Sequence, residues 1–309
     1  MSIFGTLAIL LDQISTTLRR GDEALGRGLV NGVLSLASLA VLGGLAQRAG
    51  SMAIFACWVV GAAAACVLGG LQLWRGVARY SWRPQLDFRL AQRLIVIGLP
   101  NHLLTLADRA PGLVLPIIVT ELLSPTTNAF WYVVWMMAWV VLVIPVQVGM
   151  TLFSEASHRP AAIDQLVRHG LRVSLAIGTA AAVCMAALAS ILLSLMGPRY
   201  ASGGTDALRV LVWGVVPAAV IQVYYARSRA VRRLWEAIAT ATVTGTATVA
   251  AAAAAGAQWG LTAMALAWVV TQSLAALWAV WRLKALRGTR LRRRTGAEPR
   301  FAAVVRERV

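Results

Sequence analysis

The chain has 309 residues, of which 59% are apolar and only 13% charged, with a mean hydropathy of +0.71. An ordinary soluble domain carries about 25% charge, so a soluble globular protein is excluded. The formal charge of +17 comes from 29 Lys and Arg against 12 Asp and Glu, and in a membrane chain such charge is sorted by loop before it is read as affinity for a partner; it does not point to nucleic acid.

Apolar runs of spanning length predict helices over residues 3–17, 29–47, 52–73, 94–122, 129–153, 172–196, 207–226, 237–256 and 260–282. Each span uses about 20 residues, so these nine leave short loops, one tail and no sizeable domain outside the membrane. The runs are continuous and rich in Leu, Ala and Val rather than alternating, which argues against a β-barrel. The expected fold class is all-α, a polytopic helical membrane protein.

Basic residues alternate between connections. Arg19, Arg20 and Arg27 follow the first span, Arg75, Arg79, Arg83, Arg89 and Arg93 the third, Arg159, Arg168 and Arg172 the fifth, and Arg227, Arg229, Arg232 and Arg233 the seventh. Ten more lie between Arg282 and Arg308, whereas the other connections hold only Arg48 and Arg199. Basic loops stay in the cytoplasm, so the C-terminus is expected inside and, with an odd number of spans, the N-terminus outside. The first run is short, contains Asp12 and Gln13, and has no basic segment before it, so it does not read as a signal peptide. A first span entering from outside points to preceding helices in a longer relative or to an earlier start. The tail, with Arg292, Arg293 and Arg294, reads as a stop-transfer anchor and a disordered end, or as a contact for anionic head groups at about 1 kcal/mol per basic residue. Lys284 is the single lysine and alanine is abundant, a GC-rich bias that suggests a bacterium.

Motifs for soluble chemistry are missing. There is no GxxxxGK[ST] phosphate loop, HExxH, GxSxG or CxxC in the sequence, which excludes nucleotide hydrolysis by a phosphate loop and gives no indication of an enzyme or a cofactor. Cys57, Cys66 and Cys184 lie singly in apolar runs and read as small core residues, and no spacing of His and Cys suggests a metal site.

The fourth run is the informative one, because it carries Asp108 and Arg109 midway, among Pro100, Pro111 and Pro116. Ionisable groups near a bilayer centre cost several kcal/mol, roughly, unless they face water or a partner. At helical spacing Asn101 and Asp108, His102 and Arg109, with Thr105 between them, form one polar stripe, expected to line a hydrated cavity. Pro111 and Pro116 are expected to kink the helix, and broken helices around a midplane cavity are typical of secondary transporters. Two readings of the charged couple stand side by side. Asp108 and Arg109 neutralise each other against a neighbouring helix, or they act directly, with Arg109 holding an anionic phosphate through its planar fork and Asp108 taking part in ion coupling. Gln147 beside Pro145 in the fifth run, and Asp12, Gln222, Tyr225, Thr271 and Gln272 elsewhere, are weaker signals that read singly as interhelical hydrogen bonds. The Thr, Ala and Gly run at 240–257 reads as a close-packing surface.

Three stretches carry a resemblance: LLDQISTTLRRGDEALGRGLVNGVLSL (10–36), VLVIPVQVGMTLFSEASH (141–158) and LLSLMGPRYASGGTDALRVLVWGVVPAAV (192–220). They resemble the oligosaccharide flippase branch of the multidrug/oligosaccharidyl-lipid/polysaccharide exporter superfamily, with Phe153, Ser154 and Glu155, then Gly197 and Tyr200, then Arg227 to Arg233 in the family's places. The Asp108–Arg109 pair after Gly98, Leu99 and Pro100 looks like the first helix of that family's second half. The resemblance implies two six-helix lobes, of which residues 1–80 form half of the first, 81–283 the complete second and 284–309 a basic cytoplasmic tail; the family's first three helices are absent. The similarity of 10–36 to 220–246, each an apolar helix, an Arg-rich loop and a second helix, agrees with lobes related by an axis along the membrane normal.

The function this implies is movement of a lipid-linked oligosaccharide or polysaccharide precursor across the bacterial inner membrane by alternating access. Arg109 is then expected on a pyrophosphate, tuned by Asp108, His102 and Asn101, with Gln147 as a further cavity residue. Membrane lipids and envelope-assembly proteins are the expected partners. Two other readings remain open from sequence, an integral-membrane polymerase or transferase and a non-transporting remnant or scaffold.

Overall fold

A computed structural model describes residues 2–18, 20–76 and 88–294. Arg19, Arg79, Arg83 and the tail from residue 295 lie outside them, as do the side chains of Arg48, Arg89, Arg93 and the basic residues from Arg287 to Arg294. The chain divides into two compact units, Met1–Phe88 and Arg89–Val309. The first contains α1 (Ser2–Thr17) and α2 (Gly21–Gly76). The second contains α3 (Phe88–Leu122), α4 (Pro125–His158), α5 (Ile163–Met196), α6 (Pro198–Leu211), α7 (Val215–Ala230) and α8 (Leu234–Arg294). Among the described residues every element is helical.

Two of these helices are too long to be rods in a membrane. A straight helix of 56 residues would reach about 84 Å, against a hydrocarbon core of about 30 Å. In α2 the limbs Gly21–Leu42 and Met52–Arg75 run antiparallel, because Arg27 on one donates from Nη1 to Gln72 Oε1 on the other. In α8 the path breaks at Gly260, with φ 79° and ψ −168°, a conformation that glycine takes without steric cost. The limbs 234–259 and 260–294 fold back on each other, since the Thr248 and Thr271 hydroxyls meet at 3.0 Å and Arg282 Nη2 donates to Glu236 Oε2 at 2.8 Å.

Seven helical stretches among the described residues are long and apolar enough to cross a bilayer. All nine predicted runs fall on helices, and the counts differ for two physical reasons. The first run is the 16-residue α1, about 24 Å long and shorter than the hydrocarbon core. The last two join through Gly260 as the single stretch Leu234–Ala285.

The first unit is held by a buried charge. Arg27 is 3% exposed; its Nη2 donates to Asp12 Oδ1 at 2.8 Å and Ser15 Oγ at 3.0 Å, its Nε to the same Asp12 oxygen at 3.2 Å. With Gln72 these bonds tie α1 to both limbs of α2. Sequence placed Arg27 in a loop and Asp12 among the weak signals; burial requires them to be partners, because an unpaired charge there is prohibitively costly.

In the second unit α7 is the central element, packed against α4, α5 and α8. Its residues Ile221 to Ser228 are all buried, as expected of a helix that is covered on every side. Arg227, read from sequence as a loop charge, is among them, 3.8 Å from Asp164 Oδ1. Tyr224 donates to Glu236 Oε1 at 3.2 Å, and Glu236 also holds Arg282, so one carboxylate joins α7 to both limbs of α8. The helix α3 continues through Pro100, Pro111 and Pro116, so the kink expected there does not interrupt it. Beside Pro111 the small-residue run of α8 comes close: a Cβ on Gly245 would stand 3.3 Å from Pro111 Cγ and 3.4 Å from the Ala107 carbonyl oxygen, the acceptor that Pro111 leaves free. Neighbouring helices make prolines tolerable in membrane spans in this way.

The cysteines differ from expectation in part. Cys57 is buried, Cys66 is half-buried and Cys184 is exposed, because Cys184 lies on the outer side of α5, where an apolar run says nothing of which face points inward.

The antiparallel pairing in α2 depends on Gly61, where a Cβ would fall 2.6 Å from the Asn31 carbonyl oxygen and against Ser35 Oγ. Gly61→Ala is expected to destabilise the detergent-solubilised protein by about 1–3 kcal/mol, seen as a lower thermal midpoint. Gly28→Ala, at an open position, should leave the midpoint unchanged or raise it slightly.

Candidate functional site

Asp108 lies at the middle of the apolar stretch Leu94–Leu122, about 21 Å along the helix from either end. Its Oδ2 accepts a 2.8 Å hydrogen bond from Gln222 Nε2 on the central helix α7. Successive residues on a helix point about 100° apart, and Arg109 accordingly turns elsewhere: it is exposed, with its guanidinium carbon 5.8 Å from the centre of the Trp139 ring. Among the described residues no ion pair joins Asp108 to Arg109, and the direct partner of the carboxylate is the Gln222 amide.

Both residues line a cavity of about 410 Å³ bounded by α3, α4, α7 and the second limb of α8. The wall from α4 is aromatic. Trp131, Trp135 and Trp139 recur every four residues and therefore stack along one face, with ring centres 6.1 and 6.4 Å apart. Trp131 is fully buried, whereas Trp135 and Trp139 reach the cavity. Trp268 from α8 meets Trp135 edge to face at 5.7 Å, and Gly112 leaves room for the Trp135 ring, which a Cβ there would approach to 2.6 Å. The remaining polar groups at the cavity are Tyr132, Gln222 and Gln272; Gln272 Nε2 donates to Thr248 Oγ1 at 3.3 Å.

Of the five residues nominated from sequence, the cavity brings together Asp108 and Arg109. His102 is exposed and Asn101 half-buried, about two turns away on α3; the Asn101 carbonyl accepts from Thr105 Oγ1 at 3.0 Å. Gln147 is exposed on α4, its carbonyl accepting from Thr151 Oγ1 at 3.0 Å. None of these three lines this cavity. Sequence reasoning gave no role to Trp135, Trp139 and Trp268, although the four-residue spacing of the α4 tryptophans was visible, and it rated Gln222 and Gln272 as ordinary helix contacts. Arg229, assigned to a loop, is half-buried at the end of α7, where Nη2 is 3.4 Å from Thr105 Oγ1. Among the described residues no three His, Cys, Asp or Glu side chains gather to hold a metal ion.

No family model matches the chain, and no curated protein matches its sequence. Solved structures do match. A mutant of the Vibrio cholerae MATE transporter VcmN is similar with a TM-score of 0.73 and 16% identity, over 92% of this chain and 67% of that one. A multidrug resistance MATE family transporter of the MOP superfamily, in an inward-facing conformation, gives 0.67 and 15%, over 91% and 69%. The lipid II flippase MurJ, in an inward closed conformation, gives 0.64 and 12%, over 90% and 60%. The chain has the MATE and MurJ fold. It is a polytopic helical membrane bundle, and it spans 64% of the length of the MATE structure in complex with MaL6.

The bond between Asp108 and Gln222 is expected to couple the two positions. In a double-mutant cycle of Asp108→Ala and Gln222→Leu, followed by reversible unfolding in bicelles, the coupling energy should be about 0.5–1.5 kcal/mol. A value near zero would show the bond to be energetically idle.

Proposed function

We propose that this chain is a bacterial inner-membrane transporter that moves a lipid-linked oligosaccharide or polysaccharide precursor by alternating access. The observation that carries the reading is the cavity at mid-span, where a carboxylate and an exposed guanidinium stand on an apolar helix beside a wall of tryptophans. Charged groups at this depth are retained where they meet water or cargo, and the fold shared with MATE transporters and with a flippase supports movement of cargo rather than chemistry upon it.

In this reading Arg109 binds the anionic phosphate of the carrier lipid, which its planar fork suits. Leaving Trp139 costs it little, because a cation–π contact at an exposed site is worth about 0.5–1 kcal/mol. Asp108, fixed by Gln222, sets the field in which that exchange occurs. His102, Asn101 and Gln147 act on cargo outside this cavity, along its path. The chain works without a cofactor and is not an enzyme; its partners are membrane lipids and envelope-assembly proteins, and its C-terminus faces the cytoplasm, following the distribution of arginines.

Arg109→Ala is expected to abolish polysaccharide export in a complementation assay while the protein still inserts in normal amount; unchanged export would overturn the role of this residue. The orientation is checked separately. Green fluorescent protein fused after Val309 should fluoresce and alkaline phosphatase at the same place should be inactive, and the opposite pattern would reverse the topology.

A further inference from the structure

The cavity is poor in cations for a site that recognises only phosphate, since among the described residues Arg109 is the one basic residue on its wall. A site for a lipid tail alone would need no polar groups. What the wall offers instead is flat aromatic surface beside a carboxylate and two amides, Asp108, Gln222 and Gln272. Of the three indoles, Trp135 and Trp268 are 8% and 7% exposed and pack the wall from behind, whereas Trp139 presents its ring to the cavity beneath Arg109.

We infer that the Trp139 ring, backed by Trp135 and Trp268 and flanked by Gln222 and Gln272, forms a platform that reads the sugar ring of the cargo, apart from the phosphate contact of Arg109. The inference rests on the transporter reading above and adds which end of the cargo this cavity selects. A saccharide ring has a C–H face and a hydroxyl edge. The C–H face suits the negative face of an indole, whose quadrupole favours positively polarised hydrogens. The hydroxyls suit amides and a carboxylate, which donate and accept at fixed positions.

The contact between Arg109 and Trp139 orders these events. The guanidinium covers the Trp139 ring. When phosphate draws Arg109 away, the ring is uncovered for the sugar, so the charged end of the cargo is engaged first and the saccharide second. A carrier without sugar engages Arg109 alone.

The test uses the full chain in lipid nanodiscs with two probes, a polyprenyl pyrophosphate and the same carrier bearing a short oligosaccharide. Wild type is expected to bind the glycosylated probe more tightly. Trp139→Leu should reduce that preference about ten-fold, equivalent to about 1.4 kcal/mol, and Trp139→Phe should restore part of it. A preference within two-fold of wild type in the folded Trp139→Leu protein overturns the inference while leaving the transporter reading standing; failure of wild type to bind either probe overturns both. If Trp139→Leu does not fold, tryptophan emission of the wild type decides: a shift with the glycosylated probe and none with the bare carrier supports the platform, and equal responses reject it.

Discussion

A carboxylate at the middle of a membrane span is costly unless it is satisfied, and Asp108 has a donor within the protein. The donor is Gln222, 2.8 Å away on the helix that lies at the centre of the second unit. That bond links α3 to α7 at one level of the membrane, and the neighbouring Arg109 lies over Trp139 of α4. The same constraint acts at two other places. Arg27 gathers Asp12, Ser15 and Gln72 in the first unit, and Glu236 gathers Tyr224 and Arg282 in the second. Each cluster joins three helical segments, because a group that must be satisfied on several sides recruits partners from several helices.

The helices were legible because a span is a one-residue-at-a-time property: every position in an apolar run contributes to hydropathy whatever its neighbours are. What hydropathy does not encode is pairing. Arg27, Arg227 and Arg229 all count as loop charges by position, yet Arg27 and Arg227 are buried and Arg229 is half-buried, since a long side chain at a span end can turn inward as easily as outward. Gln222 looked like any other polar insertion; its importance comes from facing Asp108, 114 residues earlier. Cys184 shows the converse, a residue in an apolar run that faces outward. The tryptophan ladder was readable from its four-residue repeat, but its place on a cavity depends on Gly112 and on the tertiary position of Trp268.

Within the candidate site, geometry separates two residues that sequence joins. Adjacent in the chain, Asp108 and Arg109 have different partners, one an amide and the other an aromatic ring. The carboxylate is thereby a fixed feature of the wall, held to α7 by a hydrogen bond, whereas the guanidinium rests on a weak cation–π contact with Trp139.

The break at Gly260 bears on how the chain enters the membrane. Its two limbs meet at a tip, Gly256 to Gly260, that contains no charged residue, while the ionic cluster of Glu236 and Arg282 is at the open end. Moving one Asp, Lys or Arg through the centre of the bilayer costs about 2.5–3.5 kcal/mol on the insertion scale. With an uncharged leading edge, the stretch Leu234–Ala285 can enter the bilayer tip first as a closed loop, with Glu236 and Arg282 left together at its open end.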